Sequence, residues 1–228
     1  MLNDKTFLAI IPARGGSKRL PHKNKLILGG KPLISWSIEA AQKTKYLDEI
    51  IVSSDDTEIL NIAHKYGIRT LLRPENLASD TASTVDVIEH ILKNIDQDYD
   101  YIVLLQPTSP LRSYENIACA IELLINKNAD AIISVCKVEH PPFWSNILPN
   151  DRNMDNFLSD EVLNKRGQDF EQYYRLNGAI YIIDKNKFLE KKSIFLKKNI
   201  FAYEMSQKQS IDIDTKLDFQ IASAIISL

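Results

Sequence analysis

Cysteine is scarce in this chain: Cys119 and Cys136 are the only two. They lack CxxC spacing, and His140 is a lone neighbouring candidate, whereas a zinc site gathers about four ligands. Two reduced cysteines in or near the core are therefore the expectation. An excess of one charge is missing too. The formal net charge is −2, so no global positive field collects nucleic acid or an anionic membrane, and any anion must be held by a local cluster. No stretch approaches the roughly 18 uncharged apolar residues of a membrane span. The N-terminal MLNDKTFLAIIPARGG lacks the basic start, length and cleavage site of a secretory signal. The expected compartment is the cytoplasm. Internal repeats, low-complexity segments and a dividing linker are also lacking. What is present, 228 residues of which 44% are hydrophobic and 25% charged, is enough for one domain with a full core.

Short apolar runs alternate with amphipathic segments along the first half of the chain. Strands are predicted at 6–11, 50–52, 68–72, 101–105 and 131–135. Helices are predicted at 32–43, through Ile59, Ile62 and Ala63 with Asp55 and Glu58 as a capping box, and at 84–95 and 115–126. This alternation predicts an α/β fold with a parallel sheet covered on both faces. From 137 to 174 the pattern breaks into HPPFW and a polar stretch, read as an insertion or partner-binding flap. Sheet character returns at GAIYII, 178–183, and near 200–203, and an amphipathic helix closes the chain at 215–226.

Ligands of open parallel sheets bind outside the strands' carboxyl ends. The segment after the first strand, PARGGSKRLPHKNK, carries Arg14, Lys18, Arg19, Lys23 and Lys25 and no acid. Gly15 and Gly16 permit close backbone approach, and the cations supply charge-assisted donors, so the loop suits a polyphosphate. It is neither a Walker loop nor a GxGxxG fingerprint; a solvated basic loop is the alternative on charge alone. QPTSPLR, after the fourth strand, offers Gln106, Thr108, Ser109 and Arg112 to a sugar or nucleotide, or equally forms a turn that caps the next helix. In SIDIDT, strand alternation puts Asp212 and Asp214 on one face, a pair suited to Mg²⁺ and a substrate phosphate. The competing reading is a helix cap by Asp214 or Thr215, with Asp218 at the right spacing. Arg166, Arg175, Asn177 and Tyr181 surround the entry to GAIYI, where Tyr181 suits a core position as well. The four histidines show no ligand spacing, and no serine–histidine pair or activated cysteine stands out. That fits direct attack by a substrate hydroxyl on a nucleotide phosphate, which depends on positioning and cationic clamps.

Taken in order, IPARGGSKRLPHKN, LRPENLASDTAS, LLQPTSPLR, RLNGAIYI and SIDIDT resemble the acylneuraminate cytidylyltransferases, the CMP-sialic acid synthetase family. The resemblance implies one Rossmann-like, mostly parallel nucleotidyltransferase domain over 1–228, with a small inserted dimerisation lobe at about 137–175. It implies a homodimer that uses Mg²⁺ to join CTP and a nine-carbon 2-keto acid sugar, of sialic or legionaminic type, into a CMP-sugar and pyrophosphate. By position it implies a triphosphate clamp of Arg14, Lys18 and Lys23, a ribose contact at Asn24, and a cytosine reader made of Arg73 with the backbone around Ala82 and Thr84. Gln106, Asn177 and Tyr181 are implied as sugar contacts, Arg166 as the binder of the sugar carboxylate, and Asp212 and Asp214 as the metal pair. One departure is visible: the family's Arg-Gln pair followed by Leu-Pro is here Lys165-Arg166-Gly167-Gln168-Asp169-Phe170, with a residue added and no proline. NGAIYI and SIDIDT argue against the related enzyme for an eight-carbon acid, and the paired aspartates argue against a non-catalytic nucleotide-binding module.

Overall fold

The computed structural model describes residues 2–79 and 82–227; residues 80–81, inside the LRPENLASDTAS segment, lie outside the described residues. β1 (Phe7–Pro12) is buried along nearly its whole length and is the centre of the sheet. β4 (Glu49–Ser54) and β6 (Tyr101–Leu104) flank it in parallel register, and β5 (Arg69–Leu72) extends the sheet beyond β4. On the other side follow β8 (Tyr174–Asp184), β7 (Ala131–Lys137) and β9 (Ile200–Glu204), giving the order β5-β4-β1-β6-β8-β7-β9. Among the described strands of this sheet, β8 alone runs antiparallel to its neighbours.

Strand periodicity divides the core. Phe7, Ala9 and Ile11 face α1 (Leu33–Lys43), α2 (Thr57–Lys65) and α4 (Tyr114–Lys127), where Ile34, Ile38, Ile59, Ile117 and Ile121 are buried. Leu8 and Ile10 face α3 (Thr84–Lys93) and α5 (Lys185–Lys191) through Val87, Ile88, Ile91 and Phe188. A continuous apolar run with helices on both faces is what the sequence pattern requires. A third cluster joins Leu28 and Leu33 to Ile213 and Ala222 of α6 (Lys216–Ile226), so the C-terminal helix packs beside the loop that follows β1.

Several local expectations change. The cap of α2 is Asp56, which accepts from the amides of Glu58 and Ile59; Asp55 is not the cap. A hairpin of β2 (Ile27–Leu28) and β3 (Lys31–Pro32) was not foreseen. Its two-residue turn, Gly29 and Gly30 at φ 57° and 86°, needs left-handed backbone at both positions. The short helix α5 was not foreseen either. Cys136 is buried, but Cys119 lies on the exposed side of α4, so the expectation of two cysteines in or near the core holds for one. Between β7 and β8, regular structure among the described residues is limited to 3₁₀ turns at Pro142–Trp144 and Gly167–Asp169. Phe143 stacks on Phe170 and meets Tyr173 edge-on there, while Ile147, Leu148, Met154 and Leu163 are exposed. No described helix is long and apolar enough to cross a membrane.

Helix α4, which packs on β7 and β8, begins with a capping box in which Ser113 Oγ accepts from the Asn116 amide and Asn116 Oδ1 from the Ser113 amide. Ser113→Ala should lower stability by about 1 kcal/mol. Urea unfolding checks this as a lower midpoint with an unchanged slope.

Candidate active site

The strand order reverses between β1 and β6, and a cleft of about 560 Å³ opens outside their carboxyl ends. Four parts of the chain line it. The loop after β1 contributes Arg14, Lys18, Arg19, Lys23 and Asn24; the segment after β5 and the start of α3 contribute Arg73, Ala82 and Thr84. Gln106 and Thr108 come from the end of β6, and Asp212 and Asp214 from the segment before α6.

The basic loop is held from behind by acids, while Arg14, Lys18, Arg19 and Lys23 line the cleft. Asp55 Oδ1 accepts from the Gly15 amide at 2.9 Å, and Lys25 Nζ lies 2.8 Å from Asp56. Any Cβ at Gly15 would sit 2.7 Å from Asp56 Cβ, so only glycine lets the loop approach the end of β4 this closely. Asn24 Nδ2 donates to the Arg14 carbonyl at 2.9 Å, while its buried Oδ1 has no hydrogen-bond partner among the described residues. Sequence reasoning missed Asp55 as a loop anchor. The signal was the SSDD run, whose first aspartate follows β4 while the second caps the helix.

Arg73 is 6% exposed and in no ion pair among the described residues; its Nη2 donates to the Ser53 carbonyl at 2.8 Å. Burial pulls its pKa down and nearby Arg14 adds to this, with Asp55 opposing. A buried guanidinium at the cleft wall is therefore poised for an electron-rich partner.

At the opposite wall, Thr215 and Asp218 form the capping box of α6, which releases both aspartates of SIDIDT from that duty. Asp214 pairs with Lys23 Nζ at 3.0 Å and with Arg19 at 2.8 Å. Asp212 is half-buried, and its Oδ1 has no hydrogen-bond partner among the described residues. Burial raises the Asp212 pKa; Thr108 and Lys23 oppose the shift and the charge of Asp214 reinforces it. Gly178, at φ 74°, passes between the two walls. A Cβ there would be 3.0 Å from Gln106 Oε1 and 3.8 Å from Asp212 Oδ2.

Not every expected residue reaches this surface. Asn177 is buried: its Oδ1 accepts from Ser134 Oγ at 2.6 Å and its Nδ2 donates to Ser210 Oγ at 2.9 Å, so its amide is engaged inside the protein. Tyr181 is 8% exposed and packs edge-on against Phe195, close enough to Asp212 that this carboxylate adds to the burial-driven rise in its pKa. Arg166 pairs with Asp169 on an exposed turn away from the cleft lining. Of the QPTSPLR polar groups, Ser109 and Arg112 turn inward and are buried. Among the described residues no group of three or more His, Cys, Asp or Glu gathers, so a cation here would rely on two carboxylates and its substrate.

Comparison with known proteins agrees with the cleft's chemistry. The cytidylyltransferase family matches residues 8–225. The chain is 37% identical to the CMP-N,N'-diacetyllegionaminic acid synthase of Legionella pneumophila, over 97% of each chain. It is 38% identical to the N-acylneuraminate cytidylyltransferase of Escherichia coli O18:K1:H7 over 96% of its own length, and spans only 52% of that longer relative. A solved structure of a CMP:2-keto-3-deoxy-manno-octonic acid synthetase complexed with CTP shares the fold, with a TM-score of 0.73, 17% identity and coverage of 97% and 98% of the two chains.

The raised pKa of Asp212 fixes the sign of a stability effect. Its folded form holds a proton more tightly than the unfolded chain, so the associated stability is present below the ordinary carboxylate pKa, about 4, and is lost as pH rises through the folded value. Asp212→Asn should therefore melt at a higher temperature than the parent protein at pH 7 without ligands. The gain should vanish below about pH 4, which thermal scans across pH would show.

Proposed function

Because the chain belongs to the cytidylyltransferase family, we propose that it transfers CMP from CTP to the anomeric hydroxyl of a nine-carbon 2-keto acid sugar of sialic or legionaminic type, releasing pyrophosphate. The observation that carries this reading is the meeting, in one cleft, of a cationic loop from one end of the chain and two aspartates from the other.

In this reading Arg14, Lys18 and Lys23 clamp the triphosphate, with Arg19 beside them. Asn24 offers its unpartnered Oδ1 to a ribose hydroxyl. Arg73 and the backbone around Ala82 and Thr84 match the edge of cytosine. Gln106 contacts the sugar directly. Tyr181 backs Asp212 from behind, and Asn177 supports the same strand from inside. Asp212 and Asp214 are the residues that would hold Mg²⁺, and the unpartnered Oδ1 of Asp212 fits that role. Bound there with substrate phosphate, the ion supplies charge neutralisation on the phosphate oxygens. The anomeric oxygen, its proton passing to solvent, forms the new bond to the α-phosphorus as the bond to pyrophosphate breaks, and the cations of the β1 loop stabilise the charge on the departing group. The protein supplies position and fixed charge, with no side-chain nucleophile.

The enzyme is read as a cytoplasmic homodimer serving cell-surface polysaccharide synthesis. Its dimerisation lobe is the irregular stretch at about 137–175, whose exposed Phe143, Ile147, Leu148 and Leu163 favour a covered surface. Arg166, remote from its own cleft lining, then serves the sugar site of the neighbouring subunit.

Purified protein should release pyrophosphate only when CTP, Mg²⁺ and a nonulosonic acid are supplied together. A panel of sialic, legionaminic, pseudaminic and eight-carbon acids against all four nucleotides identifies the acceptor. Release without any acid, or with none of them, rejects the reading. Asp214→Asn should lower kcat roughly 10²–10³-fold while far-UV circular dichroism stays unchanged. A variant that loses stability but keeps its activity per folded molecule would assign Asp214 a purely structural role.

A further inference from the structure

Arg112 follows β6 and is 2% exposed, yet among the described residues it is in no ion pair. Burial pulls its pKa down to about 9, still above neutrality, so the group stays charged. A guanidinium in that setting is costly, and a packed apolar side chain of similar volume is often the more stable occupant. The core therefore gains something other than volume from it. Nη1 donates to the carbonyls of Ala179, at 2.8 Å, and Gln106, at 3.2 Å; Nη2 donates to Ser37 Oγ at 2.7 Å. Ser37 Oγ itself reaches the Gln106 carbonyl at 3.4 Å. One rigid planar fork thus joins β6, β8 and α1.

We infer that Arg112 is a positioning residue for the acceptor half of the cleft: it fixes the backbone of Gln106 and of β8 beside Gly178, and so sets where the attacking sugar lies against Asp212. This rests on the proposed transfer to a sugar hydroxyl. The separations are tight, because the Cβ position of Gly178 is 3.0 Å from Gln106 Oε1 and 3.8 Å from Asp212 Oδ2. Relaxation of either strand therefore moves one wall against the other. The loop that faces the nucleotide phosphates is held by Asp55 and Asp56 on one side and by the Lys23–Asp214 pair on the other, and none of the hydrogen bonds described for Arg112 goes to it.

The experiment compares Arg112→Met, Arg112→Lys and Ser37→Ala with the parent enzyme, measuring KM for CTP, KM for the acid sugar, kcat, and backbone hydrogen exchange. Arg112→Met should raise the sugar KM at least about tenfold and lower kcat, with the CTP KM held within about twofold. Arg112→Lys should recover part of the loss, and Ser37→Ala should move the same constants by less. Exchange should quicken at 105–109 and 178–180 and stay at the parent rate across 13–25. If both KM values move together, if neither moves, or if exchange rises evenly across the protein, the inference fails. Should Arg112→Met not fold, the other two variants decide it. Should the parent enzyme turn over no acid, the proposed function falls, and the exchange pattern still decides whether Arg112 orders these two segments and spares the loop.

Discussion

Lys23 Nζ lies 3.0 Å from Asp214 and 2.7 Å from the Ile213 carbonyl, across about 190 residues of sequence. Closing so long a loop has an entropic cost that one partly buried ion pair cannot offset alone. The closure is made by the sheet and by the small cluster of Leu28, Leu33, Ile213 and Ala222, which seats α6 beside the β1 loop. The ion pair then sets the final approach of cation to carboxylate. Every role assigned to the cleft presupposes that meeting, because neither wall alone could hold a nucleotide triphosphate and orient an acceptor on it.

The electrostatics are local by necessity. A chain of net charge −2 offers no long-range attraction for a polyanion, so the positive charge is concentrated on one loop and its neutralising acids are placed behind it. Asp55 and Asp56 meet the loop backbone and Lys25 on the side facing β4, and Asp55 also acts on Arg73 of the cleft wall. Asp212 and Asp214 are the exception. They stand on the cleft wall itself, one of them half-buried with an unsatisfied oxygen, an arrangement that is unfavourable in isolation and sensible for a site that receives a further cation.

Much of the architecture was legible because β1, β6 and their neighbours are continuous apolar runs separated by helices with clear caps. The loop after β1, QPTSPLR and SIDIDT could be found because they stand where parallel strands end. What escaped is physically different. The hairpin at Gly29 and Gly30 is too short to carry a period, and the antiparallel sense of β8 is a matter of topology that no local pattern records. Asp55 and Asp56 are adjacent residues of one chemistry with different partners, which only the geometry separates. Asn177 and Arg112 look like ligand-binding side chains in sequence because they are polar beside a site. Their burial turns their hydrogen bonds inward.

The reversed direction of β8 has a topological outcome. Lys137 at the end of β7 pairs with Tyr174 at the start of β8, so the chain departs from and rejoins the sheet at neighbouring points on the rim where β6 delivers Gln106. Everything between them is an excursion whose two ends are fixed a strand's width apart. Its length can change with only a slow entropic penalty and no shift in strand register. The floor of the cleft and the excursion beside it are thereby free to diverge at different rates.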